Sequence, residues 1–218
     1  AFTIPMKIRH STTMEGGTMK DLGKEKVFNV ASELLDHNAA VRGDKVAVYC
    51  GEEKATYRSV LENVNRFANV LKELGVKAGD RVMIVLPDSP MFIYAFLGSI
   101  KYGAWPIPVN TMLNEEDYRY MLENSQAKVL VTWSQSKASP VRPEHFCYKL
   151  LDDNEFITLM DNASTEAEAH PAREDDIAFW LYSSGSTGKP KGVPHKHIDM
   201  IHSADNYGTG VLGIREDD

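Results

Sequence analysis

From Val82 to Thr132 the chain repeats one phrase: a short, unbroken apolar run, a turn carrying a capping residue, then a stretch of helical period. Val82 to Leu86 is apolar throughout, as a strand buried on both faces should be. Ser89 and Pro90 supply an N-cap and a first-turn proline for a helix that runs to about Tyr102, ahead of Gly103. Trp105 to Val109 reads as the next strand. Asn114 then caps a helix with Tyr118, Met121 and Leu122 facing inward, and Lys128 to Thr132 is strand again. Strands and helices alternating in this way restrict the chain to βαβ units, and so to an α/β fold with a mainly parallel sheet flanked by helices. In such sheets ligands bind beyond the carboxyl ends of the strands.

The flanking segments are less regular. Ala1 to Lys26 lack periodicity and contain Gly16 and Gly17, which reads as an N-terminal arm. Asn29 can cap a surface helix to about Asn38, and KVAVYCGEEKATY from Lys45 reads as a hairpin turning at Gly51 and Glu52. Val60, Leu61, Val64, Phe67, Ala68, Leu71 and Leu74 share one helical face, closed by Gly75 as a left-handed cap. After Thr132 the pattern weakens. Ser134 to Glu144 is a polar loop, Phe146 to Leu151 an edge strand, and Glu155 to Met160 a short helix. Ser164 to Asp176, rich in acidic residues, alanine and proline, reads as a solvated connector. The expected organisation is an arm over 1–26, an α/β subdomain over 27–163, an acidic connector over 164–176, and over 177–218 a strand, a loop and a helix that open a further α/β subdomain.

Charge narrows the function classes. A net charge of −7 disfavours a non-specific nucleic-acid binder, which needs a basic face to displace counterions. Cys50 and Cys147 form no CxxC pair and have no histidine at metal-ligand spacing, so neither a metal site nor a disulfide framework is expected. No apolar run reaches the roughly 18 residues of a membrane span, and the polar start has no signal-type apolar core. A cytoplasmic protein with no membrane partner is expected.

The strongest chemical signal follows IAFWLY, Ile177 to Tyr182, itself a buried-strand candidate. That run leads directly into SSGSTGKPKG, Ser183 to Gly192. Gly185, Gly188 and Gly192 permit unusual backbone angles and close approach, while Ser183, Ser184, Ser186 and Thr187 offer hydroxyl donors beside main-chain N–H groups. Lys189 and Lys191 add charge for a polyanion. These are the parts of a phosphate cradle. A flexible linker has the same composition, but an apolar strand before it and a helix expected from His195 to about Tyr207 favour a cradle. The Walker pattern fails twice, since Ser183 stands where its first glycine belongs and Pro190 where its hydroxyl residue belongs; Gly185, Gly188 and Gly192 also cannot be aligned with a dinucleotide fingerprint. His195 and His197 form an H-x-H at a helix start and suit packing or capping better than catalysis. Trp105, Trp133 and Trp180 read as core or loop-packing residues.

The loop resembles the signature of adenylate-forming enzymes, [ST]-[ST]-G-[ST]-T-G-x-P-K-G, which it matches at every position. ATY at Ala55 to Tyr57 and IKYGAWPIPVN at Ile100 to Asn110 look like two further family motifs, and they occur in the family's order. Within the superfamily, NRFANVLKELGVKAGDRV, LPDSPMFIYAFLGSIKYGAWPIPVNTML and the closing GVLGIREDD are most similar to benzoate:CoA ligases and related aryl:CoA ligases.

The resemblance implies part of the large N-terminal domain of an ATP-dependent carboxylate:CoA ligase, an AMP-forming acid–thiol ligase acting in aromatic-acid degradation. Its substrates would be a small-molecule carboxylic acid, benzoate or similar, with ATP and CoA. It implies Ser183, Ser184, Gly185, Ser186, Thr187, Gly188, Lys191 and Gly192 as nucleotide-binding residues, with Lys189 at a variable, solvated position. Mg2+ and most of the CoA site are expected outside these 218 residues, as are the acyl pocket and the catalytic lysine, so the chain alone is expected to be inactive and to hold no catalytic or metal-binding residue. A fatty-acyl or amino-acid-activating relative, and a non-catalytic nucleotide-binding domain, are the alternatives. Homo-oligomerisation stays open.

Overall fold

A computed structural model describes residues 27–139, 141, 149–184 and 188–215. The expected arm over 1–26, Cys147, and Gly185, Ser186 and Thr187 lie outside the described residues. In chain order the elements are α1 (Val30–Arg42), β1 (Val46–Cys50), β2 (Glu53–Thr56), α2 (Tyr57–Glu73), β3 (Arg81–Val85), α3 (Pro90–Tyr102), β4 (Trp105–Pro108), α4 (Glu115–Ser125), β5 (Val129–Thr132), β6 (Lys149–Leu151), α5 (Asp153–Asn162), β7 (Ile177–Ser183), β8 (Lys191–Lys196) and α6 (His197–Ser203). A π-helical turn, Ala204–Thr209, continues α6.

The central sheet has the order β4-β3-β5-β6 and every pairing in it is parallel. Alternate strand residues face opposite layers. Val82, Ile84, Val129, Val131 and Leu151 pack with Phe67, Val70 and Leu71 of α2 and with Phe156 and Met160 of α5. Met83, Val85, Leu130 and Ile107 pack with Tyr118, Met121 and Leu122 of α4. Both faces are therefore covered, which is why the strands read as apolar runs with no wet side. Each fully buried leucine or isoleucine here, such as Leu130 or Ile84, contributes about 2 kcal/mol relative to exposure. A third cluster joins α1, the antiparallel β1–β2 hairpin, α2 and α3 through Leu34, Leu35, Val48, Val60, Ile93 and Leu97.

Helix boundaries follow from their caps. Ser89 Oγ accepts from Phe92 N–H at 3.3 Å, Asn114 Oδ1 from Asp117 N–H at 3.0 Å, and Asp152 Oδ1 from Glu155 N–H at 2.9 Å. The last of these starts α5 two residues before the expected Glu155. Asn29 Oδ1 accepts from Ala31 N–H at 3.1 Å, while its Nδ2 donates to the carbonyls of Ile100 and His170, so one side chain caps α1 and joins it to α3. Lys101 strengthens the same junction. Its side chain is 3% exposed and its ammonium meets Asp36 at 2.9 Å.

Four expectations need correction. α1 extends to Arg42 rather than stopping at Asn38. The acidic segment 164–176 keeps most side chains in solvent, yet its backbone is fastened to the helices: Asn69 Nδ2 donates to Ser164 O and Glu166 O, His170 N–H to Lys101 O, and Phe28 N–H to Ala172 O. IAFWLY is not a doubly buried strand. It is β7, half-buried, in an antiparallel pair with β8, whose Leu181–Val193 cross-strand pair is exposed. Finally, helix does not begin at His195, because Lys191 to Lys196 is committed to that pairing and α6 starts only at His197.

Candidate functional site

The run expected to hold phosphate begins at the end of β7, Ser183, and reaches into β8 at Lys191 and Gly192. Tyr182 lies opposite Gly192 and Ser183 opposite Lys191, so the strand ladder fixes both ends of the loop. Ser183, Ser184, Gly188 and Lys191 are exposed, and Gly192 is half-buried. Gly188 has φ +96°, a conformation that side-chain-bearing residues rarely adopt. Among the described residues, no hydrogen bond or ion pair engages the Lys191 ammonium.

Gly192 is required for a different reason. A Cβ built there would lie 1.7 Å from Nε1 of Trp180 and 2.0 Å from its Cζ2, so the indole face rests directly on the glycine backbone. The Trp180 Nε1 is itself buried with no hydrogen-bond partner among the described residues. Trp180 stacks on Tyr182 at a centroid distance of 5.9 Å, and Tyr182 reaches α4, where its hydroxyl lies 2.8 Å from Asn124 Oδ1 and 3.2 Å from the Met121 carbonyl. Burial first, and the neighbouring Tyr120 second, push the Tyr182 phenol above its ordinary value, with a Ser125 hydrogen bond acting the other way. Tyr182 therefore stays a donor at neutral pH.

Tyr120 of α4 holds the loop itself. Its hydroxyl donates to Pro190 O at 3.1 Å, and the Lys189 ammonium sits 4.9 Å from its ring centroid. Lys189 is thus engaged by a cation–π contact rather than simply solvated.

The H-x-H pair behaves structurally. His195 stacks on Phe179 at 4.8 Å and an interplanar angle of 6°, with Nδ1 3.5 Å from Asp199 Oδ2. His197 is buried, and its Nδ1 accepts from Val30 N–H at 3.1 Å, satisfying a first-turn donor of α1. Burial lowers its pKa to about 4; Asp176 opposes that shift and His170 adds to it.

Residues 35–218 match the family described as AMP-binding enzyme. The chain belongs to that family. Among curated members it is similar to a benzoate–CoA ligase of Thauera aromatica, 40% identical over 202 residues, covering 88% of this chain and 38% of that protein. A 4-hydroxybenzoate–CoA/benzoate–CoA ligase of Rhodopseudomonas palustris is 36% identical, with 88% and 37% covered. Among solved structures, a benzoate CoA ligase from Burkholderia xenovorans superposes with a TM-score of 0.78 at 34% identity, covering 86% of this chain and 38% of that one. The chain thus spans somewhat over a third of the length of these relatives. The parallel sheet flanked by helices is the architecture of this family's N-terminal domain.

Tyr120, Asn124 and Tyr182 carry no local signal in the sequence that marks them as part of the site. Period-two alternation places Trp180 and Tyr182 on one face of β7, which marks a shared face rather than a site. Tyr120 falls off the inward stripe of Tyr118, Met121 and Leu122, and an aromatic residue there looks like ordinary surface. Among the described residues no helix is long and apolar enough to cross a membrane.

Proposed function

We propose that this chain is part of an AMP-forming acid:CoA ligase that activates an aromatic carboxylate, benzoate or a close analogue, in the cytoplasm. The run from Ser183 to Gly192 would receive the β and γ phosphates of ATP. The observation that carries the proposal is the match of Ser183 to Gly192 to the adenylate-forming signature, in a loop held at both ends by the strand ladder. The aromatic substrate rests on the names of the relatives in Thauera and Rhodopseudomonas.

Two displacements make up the reaction. A carboxylate oxygen attacks the α-phosphorus of ATP, the bond to the bridging oxygen breaks, and pyrophosphate leaves with the electron pair. The CoA thiolate then attacks the acyl carbon and AMP departs, leaving the thioester. Charge grows on the pyrophosphate oxygens in the first step, and that is where this chain would contribute. Ser183, Ser184, Ser186 and Thr187 would donate hydroxyl hydrogen bonds, Gly185 and Gly188 main-chain N–H groups, and Lys191 its ammonium. Gly192 leaves room for the Trp180 indole beside the loop. Among the described residues no group of three or more His, Cys, Asp or Glu side chains could hold Mg2+.

Equilibrium titration of ATP into the chain and into Lys191→Ala tests the phosphate assignment. Losing one charge-assisted contact should weaken binding about tenfold; equal affinity for both proteins would remove Lys191 from the site. Substrate class is tested by following AMP and thioester across a panel of acids with the intact ligase, where preference for a fatty acid over benzoate would overturn the aromatic reading. The chain alone should show no carboxylate-dependent ATP/pyrophosphate exchange, because it spans 38% of its relatives' length.

A further inference from the structure

We propose that Tyr120 is a positioning residue that latches Lys189 and Pro190, the end of the phosphate loop that leads into β8, to α4, so that this end is held in place before nucleotide arrives. The inference rests on the phosphate-binding reading of Ser183 to Gly192 and names residues which that signature does not contain.

One side chain engages two consecutive loop residues. The Tyr120 hydroxyl donates to the Pro190 carbonyl at 3.1 Å, and its ring lies under the Lys189 ammonium at 4.9 Å. The other arm of the hairpin is fastened to the same helix, since the Tyr182 hydroxyl lies 2.8 Å from Asn124 Oδ1 and 3.2 Å from Met121 O. Between the two arms, the Trp180 indole fills the space a side chain at position 192 would need. Ordering Lys189, Pro190 and Lys191 only when a ligand arrives would cost affinity. Contacts made outside the phosphate-facing groups reduce that cost without competing for the ligand. The two lysines then have separate tasks, with Lys189 committed to the Tyr120 face and Lys191 left unengaged among the described residues.

Tyr120→Phe keeps the ring and removes the hydroxyl; Lys189→Gln keeps the hydroxyl bond and removes the charge. Amide hydrogen exchange at Gly188, Lys189, Lys191 and Gly192 is read in the ligand-free chain, with β3 and β5 amides as internal controls. The latch predicts exchange about two- to tenfold faster at the loop in Tyr120→Phe and about two- to fivefold faster in Lys189→Gln, with the sheet unchanged. ATP affinity should fall by a similar factor. Unchanged loop exchange in Tyr120→Phe overturns the latch, and so does a rise shared equally by the sheet, which marks general loosening. Lys191→Ala separates the two ideas. If it leaves ATP binding intact, the phosphate reading fails while exchange still decides the latch; if it weakens ATP binding and Tyr120→Phe does not, the latch fails and the phosphate reading stands.

Discussion

Lowering the pH from about 7.5 to about 4 should destabilise the chain through one side chain, His197. Its neutral Nδ1 accepts from Val30 N–H at 3.1 Å, and burial lowers its pKa from the ordinary 6.5 to about 4, against Asp176 and with His170. Well above pH 6.5 neither the folded nor the unfolded chain holds a proton there, and the contribution of the bond is complete. Between 6.5 and 4 the unfolded chain takes up a proton that the folded one refuses, so stability falls as pH falls; below 4 both states are protonated and the loss levels off. The gap corresponds to roughly 3 kcal/mol. His197→Gln supplies an amide oxygen that could accept from Val30 and cannot titrate. Urea unfolding of both proteins across this range isolates the effect, because all other titrating groups are shared. Wild type should lose about 3 kcal/mol more than His197→Gln between the two ends of the range. Parallel curves would refute the assignment of His197 as a neutral cap. The consequence reaches the site, since α6 directly continues β8 and a loosened His197 frees the base of the hairpin.

Two further substitutions probe packing around the site. Gly192→Ala forces a methyl group to within 2.0 Å of the Trp180 ring, so denaturant unfolding should show a loss of about 1–3 kcal/mol, relieved in part by adding Trp180→Leu; wild-type stability in Gly192→Ala would contradict the indole's placement. Asp36→Ala leaves the 3%-exposed Lys101 side chain with an uncompensated charge, whereas Lys101→Met removes the charge itself. Because Asp36 is half-exposed, the first should cost about 1–2 kcal/mol and should exceed the second, and the reverse order from unfolding curves would show that the pair is solvated.

The parallel sheet was legible because its signals are local. Apolar runs such as Val82 to Leu86 report burial on both faces, and Ser89, Asn114 and Gly103 mark helix ends by cap chemistry that depends on a few neighbouring atoms. β8 was not legible. Lys191 to Lys196 contains glycine, proline and two lysines, a composition that argues against strand, and it forms one only because β7 supplies a partner with Trp180 opposite Pro194. The same distinction runs through the site. Ser183 to Gly192 was readable as a signature, whereas Tyr120, about 70 residues earlier, becomes relevant only when α4 and the hairpin are brought together.

The strand character of Lys191 to Lys196 also bears on how the loop could hold phosphate. In loops that run directly into a helix, the helix N-terminus adds aligned N–H groups and a partial positive charge of about half a unit. Here the loop runs into β8, and α6 begins only at His197, where His197 N–H is already donated to Asp176 O and Lys196 N–H to Asp199 Oδ2. A sheet offers little net dipole in its place. On the phosphate-binding reading, this chain's contribution to a departing pyrophosphate would come from the loop's own hydroxyls and amides and from Lys191, because Lys189 is drawn onto Tyr120. On that reading Lys191 would carry a larger share than a lysine backed by a helix, and Lys191→Arg, which keeps charge while changing reach, should retain more ATP affinity than Lys191→Ala. Equal losses in the two variants would place the stabilising charge elsewhere.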